Sequence, residues 1–130
     1  MEIRRRILII DDDPALISAL TETVRCRLPD VIVDGRPSVT SAIVALQTVH
    51  YDLVVCDLRM PREDGLTFLD TIKPLPHRPP VILITGAIEE SIAKEASRRG
   101  ATAVLPKPLD RTRFCEVVRS ALGDDTWKAG

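Results

Sequence analysis

Apolar and polar positions along the chain fall into two alternating kinds of segment. Short runs that are apolar almost throughout occur as RILII near the start, VIVD near Val31, DLVVC at 52–56, PVILI at 80–84 and ATAVL at 101–105. Between them, apolar residues recur at helical spacing: Ile17, Leu20, Val24 and Leu28, then Ala42, Ala45, Leu46 and Val49. The last segment is the most regular, with Phe114, Val117, Val118, Ala121 and Leu122 at i, i+3, i+4, i+7 and i+8. Runs without apolar/polar alternation predict strands covered on both faces. Five such β-α units predict an α/β fold built on a doubly wound, five-stranded parallel sheet. The proline-rich KPLPHRPP at 73–80 reads as the connection between the third helix and the fourth strand. Residues 1–123 are expected to form one domain, with 124–130 a tail or the start of a linker.

Composition narrows the class. A chain of 130 residues, 45% hydrophobic and 28% charged, is the size and make-up of one globular domain. Its 18 basic and 19 acidic residues leave a formal net charge of −1, which gives no reason to expect direct nucleic-acid binding or adhesion to a membrane surface. No apolar run approaches the ~20 residues of a membrane span, and the N-terminal apolar run ends in acids too soon for a secretory signal core. Cys26, Cys56 and Cys115 are odd in number and lack a CxxC pair, so a disulfide framework or zinc site is not expected and a reducing cytoplasm fits best.

In open α/β sheets, sites form beyond the carboxyl ends of the strands. After the first run come Asp11, Asp12 and Asp13; after the third, Asp57; after the fourth, Thr85-Gly86; after the fifth, Pro106-Lys107-Pro108. Acids, a hydroxyl and an ammonium therefore converge on one edge. Asp13 precedes Pro14, and Asp before Pro is a helix-start signal, so Asp13 is read mainly as a cap rather than a ligand. Asp11, Asp12 and Asp57 then form a cluster suited to a hard divalent cation such as Mg²⁺. A carboxylate can also accept a phosphoryl group, and Lys107, Thr85 and nearby backbone N–H groups could neutralise the charge on its oxygens. Each residue alone has a plainer reading: solvated acids at a strand end, a surface lysine, a turn hydroxyl. His50 and His77 read as solvent-facing loop residues, Cys56 as a small buried hydrophobe, and EESIAKEASRRG as the exposed face of the fourth helix.

The motifs ILIIDDDP, DLVVCDLRMPREDG, PVILITGA and AVLPKPLD, in this order and at this spacing, resemble the receiver domains of two-component response regulators over residues 5–122. That resemblance implies the flavodoxin-like strand order 2-1-3-4-5 and a phosphoacceptor role for Asp57. It implies Mg²⁺ held by Asp11, Asp12, Asp57 and the backbone carbonyl of Arg59, with Asp12 ahead of Asp11 as the direct ligand. Thr85 matches the switch hydroxyl, Lys107 the characteristic lysine, and Lys107-Pro108 a peptide bond usually cis. Met60-Pro61 and Asp64-Gly65 match the loop and turn into the third helix. The implied function is a regulatory phosphoacceptor, not an enzyme in its own right, that assists its own phosphotransfer and dephosphorylation. A sensor histidine kinase or histidine phosphotransfer protein would dock near the first helix. An effector domain or a second copy would meet the fourth and fifth helices.

One position departs from the pattern. Receivers often carry Tyr, Phe or His three residues before the lysine, and here the residue is Val104. A short β-branched side chain has few rotamers, so signalling is expected to run through Thr85, Gly86 and Ala87 to the fourth helix near Ile88 and Glu89. Two rivals share the architecture. A flavin carrier would want hydroxyls and glycines after the first strand, where this chain has carboxylates, and aromatics, of which it has four. An aspartyl phosphatase would want an acid two residues after the nucleophile, where Arg59 stands.

Overall fold

The computed structural model describes residues 4–60, 63–86 and 89–123; Pro61, Ala87, Ile88 and Trp127 lie outside the described residues. Strands and helices alternate along the chain: β1 (Arg6–Ile10), α1 (Pro14–Arg27), β2 (Ile32–Arg36), α2 (Val39–Thr48), β3 (Leu53–Asp57), α3 (Gly65–Ile72), β4 (Val81–Thr85), α4 (Glu90–Arg98), β5 (Ala103–Pro106) and α5 (Arg111–Ala121). The sheet is parallel throughout with strand order β2-β1-β3-β4-β5. Fold class and strand order are those expected.

The alternation of side chains in the strands divides the core in two. Leu8, Ile10, Val54, Cys56, Val81 and Leu83 point to one face and pack with Ala42 and Ala45 of α2, Phe68, Leu69 and Ile72 of α3, and Ala96 of α4. Ile7, Ile9, Leu53, Val55, Ile82 and Ile84 point to the other and meet Leu20 and Val24 of α1 and Phe114 and Val118 of α5. This is why β3 and β4 are buried at every position and carry no alternation. The edge strands differ from the expectation of uniformly apolar runs. In β2 only Val33 is buried, and in β5 only Leu105, because each has a neighbour on one side alone.

Strand limits also sit one or two residues later than the apolar runs suggest, the first strand excepted. Asp57 and Thr85 are the last paired residues of β3 and β4 rather than the first residues beyond them: Asp57 pairs with Ile84, and Thr85 with Pro106. The ladder continues through these polar residues because their backbones still have a partner strand, which side-chain hydrophobicity does not report.

The helices start on side-chain caps. Asp13 accepts from the Ala15 N–H, Ser38 from Ser41, Asp64 from Thr67 and Asp110 from Arg113, each satisfying an end N–H that the helix itself leaves free. Asp13 capping with Pro14 in the first turn is the arrangement expected. The exception is α4, whose Glu89 makes no side-chain cap and whose one buried residue is Ala96. It ends on Gly100 in the left-handed region, φ +104°, a conformation that glycine adopts without strain. Its exposed face carries Lys94–Glu90 and Arg98–Glu95 pairs, while Arg99 reaches Asp70 of α3 at 3.0 Å.

At the start of α3, backbone approaches backbone closely. A Cβ on Gly65 would lie 2.8 Å from Leu83 Cδ2, 3.2 Å from Leu58 Cα and 3.3 Å from the Asp57 carbonyl oxygen. Alanine would gain helix propensity of up to about 1 kcal/mol, but it would press on a Leu83 methyl that is itself packed in the core and on Leu58 and Asp57 backbone that cannot rotate away. Gly65→Ala is therefore expected to lower stability by about 1–3 kcal/mol in urea unfolding. An unchanged midpoint would show that α3 can shift without cost.

Candidate functional site

Strand register builds the site. Ile10 pairs with Cys56, so Asp11 and Asp57 each stand one residue further on, side by side at the carboxyl edge of adjacent strands about 4.8 Å apart. The Asp11 N–H donates to the Arg36 carbonyl at 3.1 Å, which extends the β1–β2 ladder and holds the acid in place. Its carboxylate in turn accepts from the Asp13 N–H at 2.8 Å. On the other side of Asp57, the Leu58 N–H donates to the Ile84 carbonyl and the Lys107 N–H to the Thr85 carbonyl, both at 2.8 Å. The Lys107–Pro108 peptide is cis, as the resemblance implied.

Asp11, Asp57 and Thr85 are buried, and Asp12 is exposed. Asp11, Asp12 and Asp57 each offer a carboxylate oxygen, and these atoms all lie within 4.8 Å of one another. Lys107 Nζ lies 3.1 Å from Asp57 Oδ2 and 3.7 Å from Asp11 Oδ2, one ammonium between two acids. The Arg59 N–H donates to Asp57 Oδ1 at 3.2 Å, so the backbone of Arg59 runs beside the cluster. Every residue of the expected set is thus at one sheet edge. Val104 is half-buried and packs against the core on the α4 side.

The electrostatics follow from the burial. Loss of water pushes the Asp11 carboxyl above its ordinary value, and the neighbouring Asp57 and Asp12 push it the same way. The Asp13 N–H and Lys107 oppose this without cancelling it. Burial, with Asp57 next in weight, raises the Cys56 thiol and keeps it protonated, so this cysteine is the packed hydrophobe expected of it. His50 and His77 are exposed.

Two features were missed in the sequence. Tyr51, buried at the entry to β3, donates its hydroxyl to Asp34 at 2.7 Å, which lifts its phenol to about 12, burial being the larger cause. Glu63, at the far end of the loop after β3, bonds to the first turn of α2. No short-range pattern marks either contact, since the partners lie 17 and 23–24 residues away.

The donor set is all oxygen, three carboxylates at one point, which suits Mg²⁺, a cation that needs only one or two carboxylates and keeps several waters. A buried acid paired with a lysine stands at the carboxyl edge of a 2-1-3-4-5 sheet, the arrangement that the resemblance to receiver domains implied. A family model described as the response regulator receiver domain matches residues 7–119, and the chain belongs to that family. It is 31% identical over 120 residues to the chemotaxis protein CheY of Treponema pallidum, covering 90% of this chain and 82% of that protein. It is 38% identical over 112 residues to a protein-glutamate methylesterase/protein-glutamine glutaminase of Bradyrhizobium diazoefficiens, covering 83% of this chain and 30% of that protein. It is 34% identical over 122 residues to the DNA-binding transcriptional regulator NtrC of Azospirillum brasilense, covering 92% of this chain and 24% of that protein. The chain thus spans about a quarter to a third of the length of these last two relatives. In structure, the beryllofluoride-activated NtrC4 receiver domain dimer matches with a TM-score of 0.84 and 28% identity, covering 92% of this chain and 97% of that one. The receiver domain of a LuxO repressor protein from Vibrio parahaemolyticus shares the fold at a TM-score of 0.87 and 22% identity, covering 98% of this chain and 96% of that one. The protein is a receiver domain homologous to response regulators such as CheY and NtrC, a regulatory family whose members bind Mg²⁺ through acidic residues.

The buried acid carries a testable consequence for the metal-free protein. An amide at position 11 keeps an oxygen for the Asp13 N–H and removes a charge that burial and two carboxylates disfavour. Lys107 keeps its shorter contact to Asp57. Asp11→Asn is expected to stabilise the protein by about 0.5–2 kcal/mol in EDTA at neutral pH, measured by chemical denaturation. A loss of stability there would mean that the Asp11–Lys107 pair outweighs the repulsion.

Proposed function

We propose that the chain is a phosphoacceptor switch modified on Asp57. The observation that carries this is the Asp57 carboxylate at the end of β3, 3.1 Å from Lys107 Nζ and within the three-acid cluster. A carboxylate oxygen of Asp57 attacks the phosphorus of a phosphohistidine. The P–O bond forms, the P–N bond breaks, and the imidazole leaves with its electron pair. The Lys107 ammonium then faces the charge gathered on the phosphoryl oxygens, and the Thr85 hydroxyl donates to one of them. Asp11, Asp12, Asp57 and the Arg59 carbonyl would hold Mg²⁺, which when bound neutralises charge at this edge.

Residues 1–123 form the receiver unit in this reading, with 124–130, outside the described residues, a tail or linker start. The phosphodonor is a sensor histidine kinase or histidine phosphotransfer protein docking near α1, in the cytoplasm. Loose anchoring of α4, uncapped and buried through Ala96 alone, favours output through α4 and α5, to an effector domain or a second copy. The likeness to the NtrC4 receiver dimer supports the second copy. Direct nucleic-acid contact by this domain has no support in its charge. Among the described residues, no helix is long and apolar enough to cross a membrane.

Two experiments test the reading. Asp57→Asn is expected to abolish labelling by acetyl phosphate or a cognate kinase, read as loss of the mass increase of one phosphoryl group; stoichiometric labelling of the variant would remove Asp57 from the role. For the metal, Mg²⁺ at ten times its dissociation constant should stabilise the native state by about 1.4 kcal/mol. Asp12→Ala should lose most of the resulting rise in melting temperature, and an equal rise in the variant would place the cation elsewhere.

A further inference from the structure

The loop that follows Asp57 is tied at both ends, and only one of the ties is local. At its base the Gly65 N–H donates to the Leu58 carbonyl at 2.8 Å, and Arg59 forms an antiparallel bridge with Asp64. At its far end the chain presents two adjacent acids, Glu63 and Asp64, and they serve different helices. Asp64 caps α3, the helix that it begins. Glu63 turns the other way, to α2. Its Oε2 accepts from the Val39 N–H and from the Thr40 N–H at 3.3 Å, and its Oε1 accepts from Thr40 Oγ1 at 2.7 Å.

These donors are the first two N–H groups of α2, which have no partner within the helix. Ser38, the local cap, takes the third, from Ser41, at 3.1 Å. The two caps are therefore complementary: Ser38 completes α2 from within its own segment, and Glu63 completes it from the loop after β3. The three donors hold the Glu63 carboxyl below its ordinary range, Thr40 Oγ1 contributing most, so the bonds are made to the charged form. Glu63 also sets the loop internally, because its carbonyl accepts from the Met60 N–H at 3.2 Å.

We propose that Glu63 is a positioning residue for the cation site, fastening the Arg59–Glu63 loop to α2 so that the Arg59 carbonyl is ordered before metal arrives. It lies outside the three-acid cluster and acts through the Met60–Glu63 hydrogen bond and the Arg59–Asp64 bridge. The physical basis is entropy: a loop already held needs no ordering when it supplies a ligand. The inference rests on the reading of Arg59 as a ligand above.

The test separates a positioning role from simple capping. Glu63→Ala removes the tie to Val39 and Thr40 and leaves the backbone bonds at the base of the loop, while Ser38→Ala removes a cap from the same helix without touching the loop. Both variants should lose thermal stability, and both should speed hydrogen exchange in the first turn of α2. Only Glu63→Ala should weaken Mg²⁺, titrated calorimetrically, by about tenfold, the low end of what contacts behind a metal ligand supply. Glu63→Gln keeps an acceptor oxygen and should fall between wild type and alanine, which keeps the test open should alanine fold poorly. Equal Mg²⁺ affinity in wild type, Glu63→Ala and Glu63→Gln would overturn the proposal. So would an equal loss in Ser38→Ala. Wild-type protein that binds no Mg²⁺ at the acidic edge would instead overturn the underlying reading of the site.

Discussion

Mutual repulsion among Asp11, Asp12 and Asp57 is the constraint around which this molecule is arranged. Strand register sets the first and last of these acids side by side, and two of the three are buried. Such a group is costly to assemble, and the core on both faces of the sheet is what holds it. Lys107 is the internal counter-charge, but it is one ammonium among three carboxylates. The unbalanced charge is what suits this edge to a hard divalent cation such as Mg²⁺. A better-neutralised edge would be more stable and less useful.

Carboxylates serve a second and opposite purpose elsewhere in the chain. Asp13, Asp64 and Asp110 sit where helix N–H groups are free and charge is welcome. Asp13 stands two residues from Asp11, yet one carboxylate finishes a helix and the other is held away from water among like charges. Environment, not residue type, makes the difference: Asp13 is exposed and faces backbone donors, while Asp11 is buried and faces other acids. Glu63 extends the capping role across the fold and links the helix start of α2 to the loop beside the site.

The anchoring of the helices is uneven in a way that suits a switch. Both flanks of the sheet are packed by large apolar side chains from α1, α3 and α5, whereas α4 buries little and lacks a cap. Its C-terminal end is held by Arg99 to Asp70 of α3. Among the described residues, α4 is thus the least anchored of the five helices. Val104, short and half-buried against this helix, offers no long side chain to act as a lever.

Much of this was legible in the sequence because it is written in short-range chemistry. Apolar runs without alternation require a sheet covered on both faces, and acids, threonine and lysine placed after successive runs must meet at one edge whatever the loop details. Asp13 before Pro14 announced its cap for the same local reason. The tertiary structure decided what depends on partners distant in the chain. It set the register that puts Asp11 opposite Asp57, carried the ladder through Asp57 and Thr85 past the end of hydrophobicity, and left β2 and β5 half-exposed as edges. It also joined Tyr51 to Asp34 and Glu63 to Val39 and Thr40. A hydrogen bond across many residues forms only once the helix and loop are placed by packing, and the residues that make it carry no periodicity that could reveal it beforehand.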